Sequence, residues 1–126
     1  ALGCSDGRPA RVRVSGRVLI NGEPLHKGYV RFIHDSARAS WGEIGQDGRF
    51  TLTCFDGQDG AVPGLHHVEV TSNENINESS MRWFAPKKYA DYNTSGINIE
   101  ISEATSDVEI KLEGDDLPFI EVFGKN

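Results

Sequence analysis

The chain has 126 residues, 25% of them charged, with a formal net charge of −6. That length fits one domain with a single packed core, and the acidity excludes a general nucleic-acid binder, which needs a basic surface for phosphate. The 14 glycines against one methionine point to an all-β domain cut by turns, and no apolar run reaches the about 18 residues that a membrane-spanning helix needs.

The first residues are ALGCSDGRPAR. Leu2 and Gly3 precede Cys4 as at the end of a bacterial lipoprotein signal, with Ala1 where leucine is usual. Cys4 is then the lipidation site, and lipid there would supply membrane affinity that the folded part lacks. Residues 1–11 thus read as a lipobox remnant and a flexible tether, broken by Gly7 and Pro9.

From Val12 the sequence alternates. Val12, Val14, Val18 and Ile20 share one face, with Arg13, Ser15 and Arg17 opposite, as in a half-buried strand. Asn21-Gly22 is a strong hairpin signal. Residues 28–34 resume the strand with Val30 and Phe32 inward, and 40–46 make a third with Trp41 as its main apolar mass. After the turn at Gln46-Asp47-Gly48, Phe50, Leu52 and Cys54 face one way and Arg49, Thr51 and Thr53 the other. From Gly64 the alternation returns, with His66, Val68 and Val70 toward the core and His67, Glu69 and Thr71 outward. Residues 73–95 carry no clean period and read as a long connection. Ile97, Ile99 and Ile101, then Val108, Ile110 and Leu112, mark two more strands. Seven strands separated by turns predict a seven-stranded antiparallel two-sheet β-sandwich over residues 12–113. Residues 114–126 form a C-terminal extension that can add an edge strand through Phe119, Ile120, Val122 and Phe123. No helix and no internal repeat are evident.

The stretch RFTLTCFDGQDGAVPGLHHVEV, residues 49–70, gathers most of the reactive residue types. A calcium loop needs several oxygen ligands at close intervals and a bidentate carboxylate. Asp56 and Asp59 instead stand beside glycines, which are ordinary turn formers. His66 and His67 are adjacent, so on a strand they point to opposite faces and cannot share a metal; His26 and His34 lie at the ends of another hairpin. No metal or cofactor is expected. Cys54 alternates with Phe50 and Leu52 and reads as a small buried hydrophobe. Two cysteines do not make a disulfide framework or a structural zinc site, and a Cys4–Cys54 pair stays open. Lys27, Lys111, Asn98 and Glu100 supply the residue types of an internal Lys–Asn cross-link, although Lys111 and Asn98 fall on faces expected to be exposed. No Ser-His-Asp order, paired acids or phosphate-cradling loop stands out, so no enzyme is expected.

The best candidate binding surface is Arg82, Trp83, Phe84, Lys87, Lys88, Tyr89 and Tyr92. Crowded aromatic and cationic side chains are what recognition hot spots favour, and flat rings also stack on sugars. The competing reading is structural: Trp83 or Phe84 plugs one end of the sandwich, and Tyr89 fixes the loop by hydrogen bonding.

Taken in order, these elements resemble a family of small bacterial lipoproteins that carry a carboxypeptidase regulatory-like, transthyretin-like domain. The resemblance lies in Gly16 ending a valine strand, Asn21 to Leu25, Gly28 with Val30 and Phe32, Asp47 to Leu52, Pro63 with Gly64, and Pro86 to Ala90. It implies a prealbumin-like sandwich on the cell envelope, facing periplasm or exterior, held to the membrane by lipid on Cys4, with no catalytic residues to carry over. The expected function is a non-enzymatic binding or structural module with a protein or glycan partner. The alternatives are a carbohydrate-binding accessory module using residues 82–92, and a metal-dependent enzyme on the same sandwich.

Overall fold

A computed structural model describes residues 8–123. Cys4, most of the tether and any Cys4–Cys54 pairing lie outside the described residues. The strands are β1 (Val14–Ile20), β2 (Glu23–Pro24), β3 (Tyr29–His34), β4 (Ser40–Glu43), β5 (Arg49–Thr51), β6 (Gly64–Thr71), β7 (Asn73–Asn77), β8 (Ser80–Trp83), β9 (Ile97–Ile101), β10 (Thr105–Leu112) and β11 (Phe119–Val122). One 3-10 turn, Lys87–Ala90, interrupts them. The all-β class holds. The strand count rises from the expected seven, which fall on β1, β3, β4, β5, β6, β9 and β10, to eleven among the described residues.

Three sheets form. In the first, β1 has β10 on one side, and on the other β5 along its first half and β2 at its end. The second runs β4-β3-β6-β9, and the third β11-β8-β7. One pair departs from the antiparallel expectation: β1 and β10 run parallel, with Val18 opposite Ile110. Side chains alternate with period two in either orientation, so the burial pattern alone could not distinguish them.

The core is built from the faces predicted to be inward. Val14, Val18, Phe50, Leu52, Ile110 and Leu112 of the first sheet and its continuation meet Val30, Phe32, Val68, Val70 and Ile101 of the second. None is more than 2% exposed. Each such burial contributes about 1.5–3 kcal/mol before the entropy of ordering is set against it. The Phe32 and Phe50 rings meet at 6.0 Å, tilted by 45°. The Asn21-Gly22 turn closes β1 onto β2 with φ of 53° and 86°, the left-handed pair that a two-residue hairpin requires. Asn21 also extends β1 toward the C-terminal segment: its Nδ2 donates to the Gly114 carbonyl at 2.8 Å, and its Oδ1 accepts the Gly114 N–H at 3.1 Å.

A further expectation is corrected. Residues 73–95 are not one irregular connection, because β7 and β8 form a hairpin and β11 pairs with β8, adding the edge strand predicted for the tail. The hairpin was hidden because Asn73–Asn77 has no apolar face, and its burial shows no alternation. Its turn is held by Asn77, whose Oδ1 accepts the Ser79 N–H at 2.9 Å and the Ser80 hydroxyl at 3.0 Å.

Trp41, the main apolar mass of its strand, stands outside the core. Ser40 and Gly42 are buried, and Trp41 points out, 50% exposed. The Trp41 N–H and C=O bond the Thr53 C=O and N–H at 3.0 and 2.8 Å. A Cβ added at Gly42 would stand 2.5 Å from the Thr51 carbonyl oxygen. The inner side of β4 therefore has room only for a residue without a side chain at that point. A slip of one residue, which would turn Trp41 inward, is excluded sterically.

Candidate functional site

The loop after β5 is organised by one carboxylate. Asp59 Oδ1 accepts the Cys54 N–H at 2.7 Å and Oδ2 the Phe55 N–H at 3.2 Å, while Arg11 Nε donates to Oδ2 at 3.0 Å. Burial opposes ionisation of this group. The N–H groups of Cys54, Phe55 and Asp56, with Arg11, outweigh it and hold the carboxyl below its ordinary value. Both oxygens are thus engaged in folding the loop. Asp56 lies on the surface with Arg8 at 3.5 Å. Arg8, Arg11 and Arg38 all place their guanidinium carbons about 5 Å from the centroid of the Phe55 ring, and Arg38 Nε donates to the Cys54 carbonyl at 2.7 Å. Cys54 itself is buried.

The histidines are equally occupied. His66 is fully buried, and its Nε2–H donates to the Val62 carbonyl at 2.7 Å. Its Nδ1 has no hydrogen-bond partner among the described residues. Burial is the main reason that its pKa is lowered. His34 packs edge-on against it at 5.2 Å, donates from Nε2 to the Pro63 carbonyl and accepts the Ser36 N–H at Nδ1. His67 lies on the other face, with Nδ1 2.7 Å from Asn98 Oδ1. His26 is exposed, with Nδ1 at 2.7 Å from the Gln46 carbonyl. Among the described residues no three His, Cys, Asp or Glu side chains converge to hold a metal. The cross-link residues are not brought together: Lys27 pairs with Glu74 and Lys111 with Glu109, while Asn98 meets His67.

The 82–92 segment divides. Trp83 on β8 is 7% exposed and stacks on Phe119 of β11, with centroids 6.3 Å apart and planes 9° apart. Its Nε1–H donates to Glu121 Oε1 at 2.9 Å, and Lys87 Nζ donates to Oε2 at 2.6 Å. Lys87, then Trp83, hold the Glu121 carboxyl below its ordinary value. Arg82 and Lys27 converge on Glu74 at 2.6 and 2.8 Å, and Lys27 lies over the half-buried Phe84 ring at 5.4 Å. Tyr89 is 9% exposed, its hydroxyl donating to the Glu113 carbonyl and accepting the Glu113 N–H. Lys88 lies over its ring at 5.1 Å. Only Tyr92 among the four rings is widely exposed, resting edge-on on His67 at 4.9 Å. Tyr89 fixes the loop by hydrogen bonding as the structural reading expects, whereas Trp83 is buried against Phe119 within the third sheet and Phe84 borders the main core; the segment presents no platform of adjacent open rings.

The open rings lie elsewhere. Tyr29 on β3 is 53% exposed and faces Trp41 on β4 at 6.1 Å, tilted by 49°. The sequence does not single out this pair, because the two residues are twelve apart and lie on different strands. The inward series Ser40, Gly42, Ile44 was the available signal. No family model matches the chain, and no curated protein or solved structure matches it.

Proposed function

We propose that this chain is a non-enzymatic module of the bacterial cell envelope, anchored by lipid on Cys4, whose sandwich binds or supports a partner outside the membrane. One observation carries the non-enzymatic part. The side chains best suited to chemistry, namely Asp59, His34, His66 and Cys54, are tied into backbone hydrogen bonds or the core, which is how structural polar groups are used. The order β4-β3-β6-β9 opposite β5-β1-β10, with the parallel β1/β10 pair, supports a prealbumin-like sandwich. Leu2-Gly3-Cys4 supports the anchor.

The test is fractionation of cells that express the full gene product, with intact-mass analysis of the protein recovered. The expected result is a membrane-associated protein whose Cys4 carries acyl chains, and a Cys4→Ser variant that loses both the mass increment and the membrane association. A wild-type protein with unmodified Cys4 in the soluble fraction would overturn the anchor.

A further inference from the structure

We propose that the outward face around Trp41 and Tyr29 is a binding site for a pyranose oligosaccharide. This deepens the reading of the chain as a binding module. Lipidation and sugar binding are measured separately, so the failure of one does not imply the failure of the other.

Lone exposed hydrophobes are ordinary, but two large rings half open to water and facing each other are not. Trp41 and Tyr29 are 50% and 53% exposed and 6.1 Å apart. Both stand on paired strands, and both backbone groups of Trp41 are bonded to Thr53. The backbone that carries the rings is therefore ordered before any ligand arrives, which reduces the ordering cost of binding.

Their surroundings are polar. Arg31 lies opposite Trp41 across the β3–β4 ladder, and Glu69 lies opposite Arg31 on β6. The Arg31–Glu69 ion pair spans 3.4 Å, and Glu69 also accepts the Tyr92 N–H at 2.8 Å. Shallow clefts of about 490 and 440 Å³ lie on the two sides of Trp41, the first including Arg38 and Thr71 and the second Thr51 and Gln58. Each is the size of a small-ligand site. A pyranose ring has an apolar C–H face bordered by hydroxyl groups. An open aromatic ring flanked by a paired Arg and Glu, threonines and an amide matches both parts. The centre of a protein interface is instead depleted of charge, so the charges beside Trp41 favour the sugar. Two clefts divided by one ring suit a chain of sugar units better than a single one.

The experiment is calorimetric titration of the whole protein with cello-, chito-, laminari-, manno- and galacturono-hexaose. At least one series is expected to saturate with a Kd between about 10 μM and 1 mM. Trp41→Ala should weaken it by about tenfold or more and Tyr29→Ala by about threefold or more, with Tyr92→Ala within about twofold. Tyr29→Ala keeps the test decisive should Trp41→Ala not fold. The proposal is overturned if no series saturates below about 10 mM, or if binding survives both variants within about twofold. Trp41-dependent self-association with no sugar binding would also overturn it, assigning the face to a second copy of the chain.

Discussion

His66 shows how one buried polar residue couples the stability of the fold to pH. Its Nε2–H is matched to the Val62 carbonyl, and its Nδ1 lies in the core without a hydrogen-bond partner among the described residues. Protonation would place a cation beside Phe32 and the edge of His34. Burial accordingly lowers the pKa in the folded state below the ordinary value. The unfolded chain then binds the proton more readily, so the stability from neutral His66 is complete above about pH 6.5 and lost as pH falls through the folded pKa. Thermal unfolding followed from pH 7.5 to 5 should show a falling Tm. His66→Gln, which keeps a donor for Val62 and cannot titrate, should flatten that slope. An equal slope in the variant would place the acid sensitivity elsewhere.

Among the elements, β11 meets β8 through a four-residue ladder and one ring stack. Trp83 stacks on Phe119 and shares Glu121 with Lys87. Trp83→Ala should cost about 3–5 kcal/mol, as deletion of a large buried aromatic does. It should also release β11 first, read as faster amide hydrogen exchange at Ile120 and Val122 than in β3 or β6. Uniform acceleration across all strands would show that β11 is part of the main cooperative unit. The same elements show what a sequence can reveal. The strands around Phe50, His66 and Val68 were legible because each has one wet and one dry face, and a two-residue period follows directly from that. The β7–β8 hairpin was not legible, because Asn73–Asn77 has no dry face and is held by its backbone ladder and the Asn77 side chain. Hydrophobicity alone does not give the direction of Trp41, which follows from the approach of Gly42 to the Thr51 carbonyl oxygen. A close approach between strands depends on pairing, and its local trace is the small residues Ser40 and Gly42 on either side of Trp41. The crowded aromatics of 82–92 were visible but close in sequence only; β8, the 3-10 turn and the following loop send them to different neighbours.

For the whole molecule, the two four-stranded sheets enclose one core, and the β11-β8-β7 ribbon continues from β6 past Ser72, whose hydroxyl donates to the Lys27 carbonyl at 2.7 Å. This arrangement sorts the aromatic side chains into two groups. Trp83 is buried within the ribbon against Phe119 and Tyr89 ties the 3-10 turn to Glu113, while Trp41 and Tyr29 remain on the outer face of the second sheet. That division is the basis for reading the protein as a module that presents a binding face. The chain has two tryptophans, one in each group, so single-tryptophan variants can report on them separately. Acrylamide quenching of Trp83→Phe, which retains Trp41, should be steep, with emission at long wavelength. Quenching of Trp41→Phe, which retains Trp83, should be shallow, with emission shifted to the blue. The reverse order, a shielded Trp41 and an open Trp83, would contradict the account and return the 82–92 segment to first place as the binding surface.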